Sequence, residues 1–172
     1  MTDSNSEAAA AETRWLEPDQ QRAWRAYMVA TTLLTDRLDD ELREEFNIGL
    51  NEYEVLVRLS EREDHSLRMS ALADAMRFSR SRITHTIKRM QAAGWVSRSE
   101  AQDDGRGIFA HLTDAGYALL VKAAPVHVAG VRAHLVDLTE PADFAAMGRV
   151  FDAVVDQLAQ AHPEADLRTP GS

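Results

Sequence analysis

Residues 68–113 constrain this chain more than any other stretch. They read as a short helix, a tight turn, a second helix loaded with Arg, Lys and Ser, and two short strands joined by a charged tip containing glycine. Ser70 is placed to cap a helix over 71–76, in which Ala71, Ala73 and Ala75 permit close approach of a neighbour. Arg77 and Phe78 form the turn. Ser79 caps the next helix, expected to run to Ala93 and to stop at Gly94. At 100° per residue, Ile83, Ile87 and Met90 share a side and must face a core. Ser81, His85 and Lys88 fall opposite them, flanked by Arg82, Thr84 and Arg89.

Beyond Gly94, residues 95–99 alternate apolar and polar like a strand, and residues 108–112 are the expected partner. Gly105 and Gly107 permit a turn between them, and Asp104 is placed to fix how Arg106 is presented. This is the outline of a winged helix-turn-helix, so the fold class is mainly α with a small two-stranded β-wing. The outward face of the second helix holds donors and cations, which suits a major groove. Arg and Lys reach phosphates or guanine edges, and Ser and Thr reach either. The candidate DNA-binding residues are therefore Ser70, Ser79, Arg80, Ser81, Arg82, Thr84, His85, Lys88, Arg89 and Arg98. Arg106 joins them from the wing, with Asp104 and Gly105 shaping its turn, because a cation at a hairpin tip suits a narrow minor groove.

The overall net charge of -9 would oppose nucleic acid if it were spread evenly. It is not: residues 66–106 hold eight Lys and Arg against four Asp and Glu, a net of +4 that leaves -13 for the rest. A basic island in an acidic chain is the footprint of a local DNA face. Zero cysteines exclude thiolate metal sites, disulfides and thiol redox sensing. No phosphate loop, nucleophile elbow, His-Glu-x-x-His pair or carboxylate pair in an apolar run supports an enzyme. No apolar run approaches a membrane span and the N-terminus lacks a signal-peptide pattern, so a cytoplasmic protein without a membrane partner is expected.

The flanks complete the organisation. Residues 1–14 read as a disordered tail. Residues 15–48 read as a long amphipathic helix with Trp24, Tyr27, Met28, Thr31, Leu34, Leu38, Leu42 and Phe46 on its apolar side. Residues 49–113 form the DNA-binding domain, whose first helix has Asn51 as a possible N-cap. Residues 114–162 carry two more amphipathic helices: the first begins at Thr113, continues through Leu135 and Leu138 and bends at Pro125, and the second starts near Pro141. Residues 163–172 read as a flexible tail. These helices bring more apolar surface than a small winged module covers, so a second subunit is the expected cover.

The order of these parts, with Gly94-Trp95-Val96, Asp104-Gly105-Arg106 and then Leu112-Thr113-Asp114-Ala115-Gly116, resembles the MarR family of bacterial transcriptional regulators. The resemblance spans roughly residues 20–158. It implies a homodimer that binds double-stranded DNA at a pseudo-palindromic operator, usually as a repressor, and releases it when a small anionic or aromatic effector binds. Family ligands lodge between the dimer helices and the winged module, which makes Trp15, Trp24, Arg25, Tyr27, Tyr53 and His111 the effector candidates. No cofactor is expected. Two other readings stay open. A metal-responsive regulator of the same fold would draw on His127, His134 and Asp137, although zinc wants three or four ligands. A winged-helix protein-protein module would not need the cationic face.

Overall fold

The computed structural model describes residues 13–100 and 107–161. The wing tip with Asp104, Gly105 and Arg106, the C-terminal tail expected over 163–172 and most of the N-terminal tail expected over 1–14 lie outside the described residues. The chain divides into two units, residues 1–33 and 34–172.

In the first unit helix α1 (Pro18–Phe46, continuing into the second) opens on Pro18, with Asp19 in its first turn. Proline suits a first helical position because the missing N–H is unbonded there anyway. Every described residue from 13 to 33 is exposed, Trp24, Tyr27, Met28, Val29 and Leu33 among them. The apolar stripe read from the sequence is therefore real as a pattern but covered only from Leu38 onward, where Leu38 and Leu42 are buried.

The second unit holds the core. α1 ends at Asn47, whose φ of 56° is the left-handed conformation that asparagine tolerates after a helix. α2 (Leu50–Ser60) is capped from Gly49 and not from Asn51. Glu52, the third helical residue, accepts the Gly49 N–H at 3.0 Å, and Asp39 of α1 accepts the Leu50 N–H at 2.7 Å. Two carboxylates thus satisfy donors that a serine or asparagine cap would otherwise take.

β1 (Ser66–Arg68) leads into α3 (Met69–Ala75), with Arg68 at the N-cap and no side-chain cap bond. Ser70 consequently lies in the first turn of α3 and does not cap it, a correction to the sequence expectation: the pull of the strand sets the helix start. Arg77, at φ 55°, and Phe78, whose N–H donates to Ala73 O at 2.9 Å, make the expected turn. α4 (Arg80–Ala92) is capped by Ser79, which accepts from Arg82 N at 3.2 Å, and the chain leaves it through Gly94 at φ 80°. β2 (Val96–Glu100) and β3 (Ile108–Leu112) form the expected hairpin.

The sheet has three strands and not two, in the order β1-β3-β2, both pairings antiparallel. β1 is too short to show alternation, and its partner lies far along the chain: Leu67 stands opposite Ala110, and Val96 opposite Leu112. Ala110 is fully buried and meets Leu56, Leu72, Ile83, Ile87 and Met90 in one apolar cluster. The apolar period of α4 is what places its other side in solvent.

α5 (Asp114–His134) is capped by Thr113, whose hydroxyl accepts from Gly116 N at 3.1 Å and donates to Gly94 O at 2.7 Å. α5 runs through Pro125 to His134, then gives way to a 3-10 turn (Val136–Leu138), so Leu135 and Leu138 do not extend the helix as expected. Among the described residues Asp114–Leu138 is long and apolar enough to cross a membrane by length and composition. This corrects the sequence expectation that no apolar run approaches a span: Lys122, His127, Arg132 and His134 are spaced widely enough to leave the stretch apolar on average. Its inner side is taken up by the winged module: Leu120 and Ala123 belong to the core, and His134 Nε2 donates to Glu41 Oε1 at 2.7 Å. α6 (Pro141–Leu158) begins on a proline and has no buried residue, leaving Val150, Val154 and Leu158 open.

Candidate nucleic-acid interface

α4 divides as its period requires. Ile83, Ile87 and Met90 are at most 1% exposed, whereas Arg80, Ser81, Arg82, Thr84, His85, Lys88 and Arg89 are all exposed. Thr86, beside the core side, is buried as well. The outward surface bears cations and hydroxyls without a single carboxylate, on a helix whose free N–H groups add a partial positive charge at Ser79.

The polar side chains of this surface are not equally free. Arg80 is bound to α3, donating to Asp74 at 3.1 Å and to the Ser70 carbonyl. Arg89 is ion-paired with Glu52, whose side chain is buried, and so ties the C-terminal half of α4 to the start of α2. A cleft of about 280 Å³ beside this pair is lined by Arg43, Asn47, Glu52, Arg89, Met90 and Trp95. Arg82 lays its guanidinium over the Phe78 ring, 3.7 Å from the centroid. Ser79 and Ser81 share a hydrogen bond at 3.1 Å, and Thr84 donates back to Arg80 O at 2.7 Å. His85 and Lys88 have no hydrogen bond or ion pair to a described residue. Asp74, Glu52 and Phe78 are thus the partners that sequence reasoning missed. Phe78 alone left a signal, as an aromatic ring in the turn just before a helix whose first turn carries arginine.

At the wing base Arg98 donates to Gln91 Oε1 at 2.7 Å, fastening β2 to α4. The other side of the sheet carries His111, which shares a 2.7 Å hydrogen bond with Ser99 and lies 6.2 Å from the Phe109 ring. Arg68 stands over Phe109 at 5.2 Å.

The effector candidates fall into separate settings. Trp15 is 81% exposed, Trp24 and Tyr27 face each other at 5.7 Å, and Arg25 lies a quarter-turn away on the same helix. Tyr53 is buried, with its ring 4.6 Å from His127, and burial raises its phenol pKa. None of the six lines the cleft beside Arg89. The residues weighed for a metal have other partners: His134 takes Glu41, Asp137 takes Arg132, and His127 faces Tyr53. Among the described residues no three His, Asp or Glu side chains form a group that could hold a metal ion.

This architecture is shared with known regulators. A family model described as transcriptional regulator SarA/Rot matches residues 37–122. The crystal structure of AbsC, a MarR family transcriptional regulator from Streptomyces coelicolor, is similar at 41% identity and a TM-score of 0.79, over 86% of this chain and 99% of that one. Sco3205, of the same family and organism and solved in complex with DNA, matches at 38% identity and a TM-score of 0.78, over 84% of this chain and 94% of its own. The HTH-type transcriptional regulator PecS of Dickeya dadantii is 28% identical over 110 residues, 63% of this chain, and the chain spans 66% of that curated relative's length. These proteins are regulators and not enzymes. With a helix-turn-helix, a winged sheet and flanking helices matched along nearly the whole of a relative at 41% identity, the chain belongs to the MarR family of transcriptional regulators.

Proposed function

We propose that the protein is a homodimeric repressor that binds a pseudo-palindromic operator in double-stranded DNA through α4 and is released by a small-molecule effector. One observation carries the DNA reading: the outward face of α4 presents Ser81, Arg82, His85 and Lys88 to solvent with no carboxylate among them. Ser79, Thr84 and Ser70 edge the same surface, while Arg80, Arg89 and Arg98 reach it as side chains already engaged within the protein. In this reading those three orient α4 and lend charge, and Arg106 adds a wing contact. Domain roles follow: residues 49–113 meet DNA, while α1, α5 and α6 join two subunits. A two-fold pair sets two recognition helices about 34 Å apart, one turn of the duplex. Seated across a promoter, such a dimer excludes polymerase, and the cytoplasm is where it meets its operator.

The test is a binding assay on duplexes selected from a random library. Arg82→Ala combined with Lys88→Ala is expected to weaken binding to the selected duplexes by at least about ten-fold at moderate salt and to flatten its salt dependence. Undiminished binding by that variant would mean that another surface meets the DNA.

The effector reading is supported by the exposed Trp24–Tyr27 pair, which offers two ring faces to an aromatic molecule. An effector lowers operator affinity only by as much as it prefers a dimer whose helices no longer match the groove spacing. The same assay, repeated with aromatic carboxylates, measures that preference. A metal-responsive variant of this mechanism has no observation in its favour.

A further inference from the structure

Among the cations around α4, Arg82 is distinguished by what holds it. Arg80, Arg89 and Arg98 each donate to an oxygen of the protein, so part of each hydrogen-bonding fork is taken and its direction is set by that partner. Lys88 and His85 have no described partner and nothing to fix their direction. Arg82 is held by its face: the guanidinium lies 3.7 Å from the Phe78 centroid, a contact that consumes none of its five N–H donors. It is exposed, in the first turn of α4, three residues after the Ser79 cap that accepts its backbone N–H. Phe78 is anchored in turn. It is half-buried, packs on the core cluster and donates its N–H to Ala73 O in the helix-turn-helix turn.

A stacked guanidinium keeps its planar fork while losing rotamer freedom before any ligand arrives. Long arginine side chains carry about 2 kcal/mol of rotamer entropy, and a fork already aimed gives up less of it per hydrogen bond formed. Guanine presents two acceptors, O6 and N7, side by side in the major groove, the pair that an arginine fork reads bidentately. A loosely held cation such as Lys88 suits a phosphate instead, which gives affinity without sequence information.

We infer that Arg82 is the sequence-reading residue of α4, directed at a guanine in each operator half-site, and that Phe78 is its positioning residue, setting specificity from the turn without touching DNA. This rests on the reading that α4 binds DNA.

The experiment is selection of bound duplexes from a random-sequence library, run on the full-length wild type and on Arg82→Ala, Phe78→Leu, Phe78→Tyr and Lys88→Ala. The wild type is expected to enrich a two-fold motif with an invariant guanine in each half. Arg82→Ala and Phe78→Leu should both lose the preference at that one base pair and keep the rest of the motif, with roughly ten-fold weaker binding to the guanine-bearing site. Phe78→Tyr, which keeps the ring face, should retain the guanine. Lys88→Ala should weaken all sequences alike and leave the motif unchanged. If Phe78→Leu keeps the guanine, or if either Phe78→Leu or Arg82→Ala weakens every sequence equally, the assignment is wrong. Should Phe78→Leu fail to fold by circular dichroism, Arg82→Ala and Phe78→Tyr still decide it: loss of the guanine in the first with retention in the second upholds it, and any other pattern overturns it. A wild type that enriches no sequence defeats the DNA reading itself, a different result from a wild-type motif indifferent to residues 78 and 82.

Discussion

His127 shows how one residue couples the fold to pH. Its Nδ1 is buried without a hydrogen-bond partner among the described residues, and its ring lies against Tyr53. Burial, partly offset by the nearby Glu41 charge, holds its pKa below the ordinary 6.5. The unfolded chain accepts a proton near pH 6.5 that the folded chain resists, so this contribution to stability is complete above that pH and is lost as pH falls toward the folded value. Glu41 acts in a lower window. The hydrogen bond from His134, opposed by burial and helped by Arg37, holds its carboxyl below 4.5, so its share is lost only below that pH. The urea midpoint of the wild type is therefore expected to fall between about pH 7 and pH 5, and His127→Phe, which keeps the ring contact, to flatten that slope. An unaltered slope in the variant would show that other groups set the pH dependence.

Between elements, the junction of the wing with α5 explains the Leu-Thr-x-x-Gly motif physically. Thr113 joins two chain segments by donating to Gly94 O while accepting from Gly116 N. Gly116 is buried against the Trp95 backbone: a Cβ there would lie 2.1 Å from Trp95 O and 2.8 Å from Leu112 Cδ1. Gly116→Ala must therefore push α5 off the strand that leads into β2. We expect a loss of about 3 kcal/mol in urea unfolding, against about 1 kcal/mol for Thr113→Ala, which removes the cap alone. Equal losses would show that α5 shifts without cost. The same contrast separates what was legible in the sequence from what was not. The Ser79 and Thr113 caps and the Ile83, Ile87, Met90 face were readable because period and capping are local properties. β1 was not, since three residues show no alternation and their partner is assigned only by the tertiary fold. The caps expected at Asn51 and Ser70 failed for a related reason: Glu52 reaches back from inside α2, and α3 starts directly from a strand. At the interface, exposure could be read from helical phase, but the engagement of Arg89 by Glu52 and of Arg80 by Asp74 could not, because each partner sits on another helix.

For the molecule as a whole, α6 sets the terms. It spans 18 residues, none of them buried, with Val150 61% exposed and Leu158 65% exposed along one side. A helix of this length gains most of its stability from packing its apolar face, so a face left open in the monomer calls for a partner. For the proposed dimer, Val154→Asp is expected to shift the mass in sedimentation from two chains to one and to cost operator affinity more than ten-fold, because a lone copy of α4 loses its paired half-site. A Val154→Asp protein that stays dimeric would place the interface on other helices.

The strand order bears on how such a chain comes to exist at all. β2 and β3 are neighbours in sequence and close quickly, but β1 must wait for β3, and their pairing shuts a loop that contains α3, α4 and β2 entire. Within the winged module, α4 is therefore enclosed by a pairing of longer range than the β2–β3 hairpin. In the proposed DNA-binding role, a chain whose β1 has not yet paired with β3 has no closed module around α4 to present to a duplex.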